Sequence, residues 1–155
     1  MNGMTLAKLY GLNMMVIERN LEGIEHEESF FQPQSAGNCV NWVLGHIVAT
    51  RNQVMKLIGE NPIWSEAEAA PYKRGSKPLT DRTTALPLEK IFTDLKVSQD
   101  ILLEGLHRMS PEEYEAPVEE STRYEQLAVL QFHEAYHAGQ LGILRRLLGK
   151  PGAIP

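Results

Sequence analysis

The sequence predicts an all-α protein, a four-helix bundle of up-down-down-up topology with a long crossover between its second and third helices. Three observations predict it. Four segments carry apolar residues at helical spacing. No segment alternates β-branched and polar residues, and no Asn-Gly turn joins two strand-like runs. The link between the second and third segments is far longer than the other two, so the first pair and the last pair are antiparallel while the long link carries the chain back along the bundle.

The first segment runs from about Thr5 to His26, with Leu6, Leu9, Tyr10, Asn13, Ile17, Asn20 and Ile24 on one stripe. Two asparagines on that stripe mark it as more than plain core. Phe30-Phe31-Gln32-Pro33 and Ser35-Ala36-Gly37 then break the pattern. The second segment spans Asn38 to Gly59, with Ser35 or Asn38 as N-cap and Gly59 as stop. Its stripe is Cys39, Trp42, Val43, His46, Thr50, Gln53 and Leu57. Glu60 to Leu86 shows no sustained period, is punctuated by Pro62, Pro71 and Pro78, and at roughly 27 residues reads as a crossover or lid. Within it, Tyr72-Lys73-Arg74-Gly75 reads as a small basic spot on a solvated loop.

The third segment starts at Pro87, a good first helical residue, and carries Leu88, Ile91, Leu95, Leu102, Leu106 and Met109. Ser110-Pro111-Glu112-Glu113 is a capping-box start for one short extra turn. The fourth segment begins near Thr122, where Thr122-x-x-Glu125 is another capping box, and runs to Leu148 before Gly149 and Pro151. Its stripe is Leu127, Leu130, His133, His137, Leu141, Leu144 and Leu148.

Composition narrows the function. The 155 residues read as a single domain, 1–155, large enough to bury a core. A net charge of −5 with no basic face argues against nucleic acid. No run approaches 18 apolar residues, so no membrane span is expected, and the N-terminus lacks a signal-peptide pattern. The single cysteine, Cys39, forms no internal disulfide and fits a reducing, cytoplasmic setting; it reads as a small core residue.

The chemistry sits in the histidines. His133-Glu134-Ala135-Tyr136-His137 reads H-E-x-x-H, and positions four apart share a helical face where both rings reach one ion. At about 100° per residue, His133 and His137 fall on the apolar stripe of their helix and His46 on that of the second. A neutral buried imidazole without a partner costs about 1–3 kcal/mol, and one shared divalent ion satisfies three together. His107 and His26 lie off the stripes and read as surface residues near helix C-termini.

Rival uses of the motif fit poorly. A zinc protease needs a third ligand downstream, and no Asp, Glu or His follows His137. A di-iron bundle needs inward glutamates, whereas Glu104, Glu18 and Glu22 lie off-stripe. The remaining candidate is a three-histidine site of His46, His133 and His137 with an open coordination position. Imidazole donors suit zinc, nickel, copper or iron alike. Asn13, Gln53 and Glu134 are candidates to support the ligands or bind substrate, and Glu134 is also a candidate catalytic base.

At Asn41-Trp42-Val43-Leu44-Gly45-His46-Ile47 and at His133-Glu134-Ala135-Tyr136-His137-Ala138-Gly139-Gln140-Leu141 the chain resembles the DinB/YfiT-like superfamily of metal-dependent enzymes. Leu148-Gly149-Lys150-Pro151-Gly152 and the Pro71-Tyr72-Lys73-Arg74-Gly75-Ser76 loop fit the same likeness. The resemblance implies a four-helix bundle with up-down-down-up topology, often a homodimer, with nickel or zinc on the residues matching His46, His133 and His137. Relatives include thiol-dependent S-transferases and a mycothiol-dependent maleylpyruvate isomerase. The leading expectation is therefore a cytoplasmic enzyme in which a divalent metal activates a low-molecular-weight thiol toward a small-molecule electrophile. A metal-dependent hydrolase with Glu134 as base and a non-catalytic, metal-stabilised stress-response or binding module are the alternatives.

Overall fold

Three Ser/Thr-x-x-Glu sequences start three of the helices. Ser65, Ser110 and Thr122 each accept a hydrogen bond from the N–H three residues on, and Glu68, Glu113 and Glu125 each accept one from the cap's own N–H. The computed structural model describes residues 3–34, 37–80 and 82–154. Among them the chain is mostly helical: α1 (Gly3–Leu21), α2 (Val40–Leu57), α3 (Glu66–Ala69), α4 (Leu88–Arg108), α5 (Pro111–Glu115) and α6 (Arg123–Leu147). No helix is long and apolar enough to cross a membrane.

The four long helices pack as α1 on α4 and α6, and α2 on α4 and α6. Residue numbers rise together along α1 and α6, where Tyr10 meets Leu127, Asn13 meets Gln131 and Asn20 meets Arg145. They also rise together along α2 and α4, where Arg51 meets Gln99 and Ile58 meets Gly105. Gly3 at the start of α1 lies against Leu106 near the end of α4, and His26 beyond the end of α1 meets Leu88 at the start of α4. So α1 and α4 run opposite, and α2 and α6 therefore do too.

Several sequence expectations are corrected. α1 ends at Leu21 rather than near His26, because Gly23 takes a left-handed φ of 70°. The Arg145 guanidinium occupies the last turn's carbonyls, donating to Asn20 O at 3.1 Å and Glu22 O at 2.5 Å. His26 falls in the following loop, exposed, and its Nδ1 accepts the Leu88 N–H that opens α4. Leu9 is 37% exposed, off the buried stripe. The N-cap of α2 is Cys39 rather than Asn38, and Ser35 lies outside the described residues.

The segment from Glu60 to Leu86 carries α3 and 3₁₀ turns at Ala70–Tyr72 and Arg82–Thr84, and it buries Trp64 and Tyr72. Tyr72 is therefore a core residue, not part of a solvated loop. A two-residue antiparallel ladder pairs β1 (Pro117–Val118) with β2 (Ser121–Thr122) around Glu119 at φ 53°. It is too short to leave a period-two pattern, which is why the sequence shows no strand.

Gly45 is where the crossover meets α2. A Cβ there would lie 2.2 Å from the Tyr72 ring. Gly45→Ala is expected to cost about 1–3 kcal/mol by overpacking. Gly11→Ala, whose Cβ meets nothing within 4 Å, is expected to gain about 0.5–1 kcal/mol. Urea midpoints moving in opposite directions check the pair.

Candidate metal centre

His46 from α2 and His133 and His137 from α6 converge. Their facing nitrogens lie within 4.8 Å of one another. His133 Nε2 is 3.3 Å from His46 Nε2 and 3.1 Å from His137 Nε2. His46 and His137 are buried, and His133 is half-buried at the opening.

The outer ring nitrogens define the inner ones. His46 Nδ1–H donates to the Tyr72 carbonyl at 2.6 Å, and His137 Nδ1–H donates to Gln140 Oε1 at 2.8 Å. The first assignment follows from a backbone carbonyl that only accepts, and the second from Gln140 presenting its amide oxygen to the ring. A neutral imidazole protonated at Nδ1 presents a lone pair at Nε2, so two lone pairs face the centre of the cluster. The third ring supplies at most one proton to them at Nε2, and its Nδ1 is buried without a hydrogen-bond partner among the described residues. Two nitrogens bound tetrahedrally to one ion at about 2.0–2.1 Å lie about 3.3 Å apart, close to the two spacings here. The donor set thus suits a divalent cation.

Burial holds all three imidazoles below the usual histidine range. His137 is lowered to about 4, against the opposing pull of its Gln140 bond. For His133 the charges of His46 and Arg74 lower it further, against Glu134. Neutral rings are the metal-ligating form. Trp42 stacks on His46 with centroids 4.7 Å apart and planes at 10°, fixing that ring from one side.

The crossover forms one wall of the centre. Tyr72 donates its hydroxyl proton to Asn41 Oδ1 at 3.1 Å and accepts the Leu86 N–H at 2.7 Å. Asn52 binds the other end of the crossover through Ile63 N, Trp64 N and Trp64 O. Trp42 Nε1–H donates to Ser76 Oγ at 2.9 Å. A cleft of about 490 Å³ opens beside His46 and His133, bordered by Thr50, Gln53, Lys73 and Arg74.

Glu134 is not positioned as a free base. It is buried, and Arg51 donates Nε–H to its Oε2 at 2.5 Å and Nη2–H to its Oε1 at 2.9 Å. Asn13 Nδ2 adds a contact to Oε1 at 3.3 Å, and Gln99 Oε1 accepts from Arg51 Nη2 at 2.8 Å. Tyr10 lies under the guanidinium, 4.9 Å from ring centroid to Cζ, and donates its hydroxyl proton to Leu127 O. Burial pushes that phenol far above its ordinary range, so it stays protonated. Asn13 therefore supports Glu134 rather than a histidine. Gln53 is exposed on the cleft wall.

Sequence reasoning missed Arg51, Gln99, Tyr72 and Gln140. Arg51 had a readable signal. It is a lone charge at helical spacing from Leu44, Ile47, Val48, Val54, Met55 and Ile58, all buried.

The family profile of the DinB superfamily matches residues 13–141, a span containing all three histidines. The chain belongs to the DinB superfamily. No curated protein matches the chain. DinB-superfamily membership and the three-histidine cluster both fit divalent-metal binding.

Two outcomes follow for this DinB-superfamily chain. Arg51→Met alone strands a buried carboxylate and is expected to cost about 3–5 kcal/mol, whereas Arg51→Met with Glu134→Met is expected to cost less than the single change. Urea unfolding of the cycle measures it. The metal-free protein should lose stability on acidification. Unfolded imidazoles take up protons near pH 6.5, while the folded His137 resists until about pH 4. Stability is full above pH 6.5 and falls across that window, with a shallower slope in His137→Ala.

Proposed function

We propose that this chain is a metal-dependent enzyme of thiol S-transferase type. His46, His133 and His137 would hold a divalent ion, zinc or nickel, with a low-molecular-weight thiol as co-substrate and a small electrophile as substrate. The observation that carries the reading is the convergence of three Nε2 atoms, with the His46 ring turned inward by the Tyr72 carbonyl and the His137 ring by Gln140. When bound, such an ion would lower the pKa of a thiol so that thiolate is available at neutral pH.

The chain's own residues set the conditions for that chemistry. Trp42 and the Tyr72 carbonyl orient His46, and Gln140 orients His137. Tyr72, Trp42 and the crossover exclude water from the buried side. The cleft beside His133 leaves the opposite side open to a small molecule. The engagement of both Glu134 oxygens favours the thiol reading over a hydrolase that uses Glu134 as base.

The helix directions support a four-helix bundle of up-down-down-up topology with the crossover between α2 and α4. We assign the protein to the cytoplasm as a homodimer. The support for the dimer is an exposed apolar stripe along α6, Val129, Phe132, Tyr136, Ile143 and Leu147, with Leu12 and Met15 of α1.

Untagged protein is expected to carry about one divalent ion per chain, and His46→Ala and His137→Ala at most about a tenth of that, by elemental analysis. Thiol-dependent consumption of an electrophile should disappear on chelation. Turnover without any thiol would instead favour the hydrolase. Phe132→Glu should convert a dimer to a monomer in analytical ultracentrifugation.

A further inference from the structure

The cleft beside the three histidines has a charge of one sign. Among the described residues its ionisable borders other than the histidines are Lys73 and Arg74, and no carboxylate lines it. The chain as a whole carries a net charge of −5, so this is a local reversal. Thr50 and Gln53 add neutral hydrogen-bonding groups on the same wall, and Val129 and Leu130 face them across it.

The position of Arg74 is built rather than incidental. Ser76 N–H donates to the Lys73 carbonyl at 3.0 Å, closing a four-residue turn. Gly75 takes the left-handed φ of 82° which that turn requires at its third residue, leaving Arg74 at the corner. Both flanks of the turn are tied to α2. The Tyr72 carbonyl receives the His46 Nδ1–H, and Ser76 Oγ receives the Trp42 Nε1–H. The residue that orients a cluster histidine is thus two positions from the cation at the mouth. Lys73 is partly engaged by an ion pair with Glu66, whereas Arg74 makes no ion pair among the described residues.

We infer that the cleft selects ligands carrying a carboxylate, with Arg74 as the specificity-determining residue that receives it while the ligand's other end faces the histidines. This rests on the cleft being the substrate entrance to the histidine site. A guanidinium pairs a carboxylate through two parallel N–H bonds, which an ammonium does not. Among the described residues no carboxylate lines the cleft to pair an organic ammonium.

The test compares 3-mercaptopropionate with 3-mercapto-1-propanol on cobalt-loaded protein, with Kd read from the sulfur-to-cobalt charge-transfer band. Wild type is expected to bind the carboxylate thiol about tenfold more tightly. Arg74→Ala should bring the two within about twofold, and added salt should shrink the wild-type preference. Equal affinities in wild type, or an unchanged preference in Arg74→Ala, would overturn the inference. If neither thiol reaches the cobalt, the thiol reading of the site fails, and propionate against 1-propanol puts the same question in metal-free protein. A saturable NMR shift of the His133 and Leu130 side chains with propionate alone, lost in Arg74→Ala, keeps the carboxylate inference; no shift in wild type overturns it.

Discussion

The buried ion pair between Arg51 and Glu134 is the constraint on which the rest of the structure depends. Each long helix contributes to it: Tyr10 and Asn13 from α1, Arg51 from α2, Gln99 from α4 and Glu134 from α6. It lies between two apolar clusters. One holds Leu6, Tyr10, Val54, Leu102 and Leu127, and the other Ile17, Leu44, Ile47, Leu95 and Leu141. Moving two charges out of water costs several kcal/mol per ion, and their attraction offsets this only when geometry and further hydrogen bonds are good. Apolar replacements of the same volume would hold the helices about as firmly. What the pair supplies is register, because a slip of α2 along α6 would leave both charges buried and unpaired.

That register places the histidines. Arg51 and His46 sit on one helix, Glu134, His133 and His137 on the other, so fixing one pair of positions fixes the second. Glu134 neighbours a ring it does not assist directly, and its role is to hold the helix that presents the ring. The crossover depends on the same geometry. It reaches His46 through a backbone carbonyl, and Tyr72 packs where Gly45 leaves room. The segment therefore acts as a wall of the centre, tied down by Asn41, Trp42 and Asn52.

Much of this was legible in the sequence for identifiable reasons. Capping boxes at Ser110 and Thr122 mark helix starts because their chemistry is local. The two α6 histidines declare a shared face by spacing alone, and His46 joins them through an apolar stripe. The inner face of α2 was harder to read. Residues Val40 to Val48 are all buried, so no period shows there, and the true centre of the stripe passes through Arg51, a charge that hydropathy counts as surface. α6 was misjudged by the same rule. Its buried face holds Glu134 and Arg145, while Leu130 and His133 are half-exposed. Contacts made by backbone carbonyls, such as Tyr72 on His46, leave no mark in side-chain patterning at all.

The central claim is that His46, His133 and His137 bind one ion together while a position stays open. X-ray absorption of zinc-loaded protein tests it most directly. The account predicts three imidazole nitrogens at about 2.0–2.1 Å, one further light-atom ligand, and no sulfur from the buried Cys39. A zinc K-edge spectrum with fewer than three imidazoles, or with a cysteine sulfur at about 2.3 Å, would contradict it.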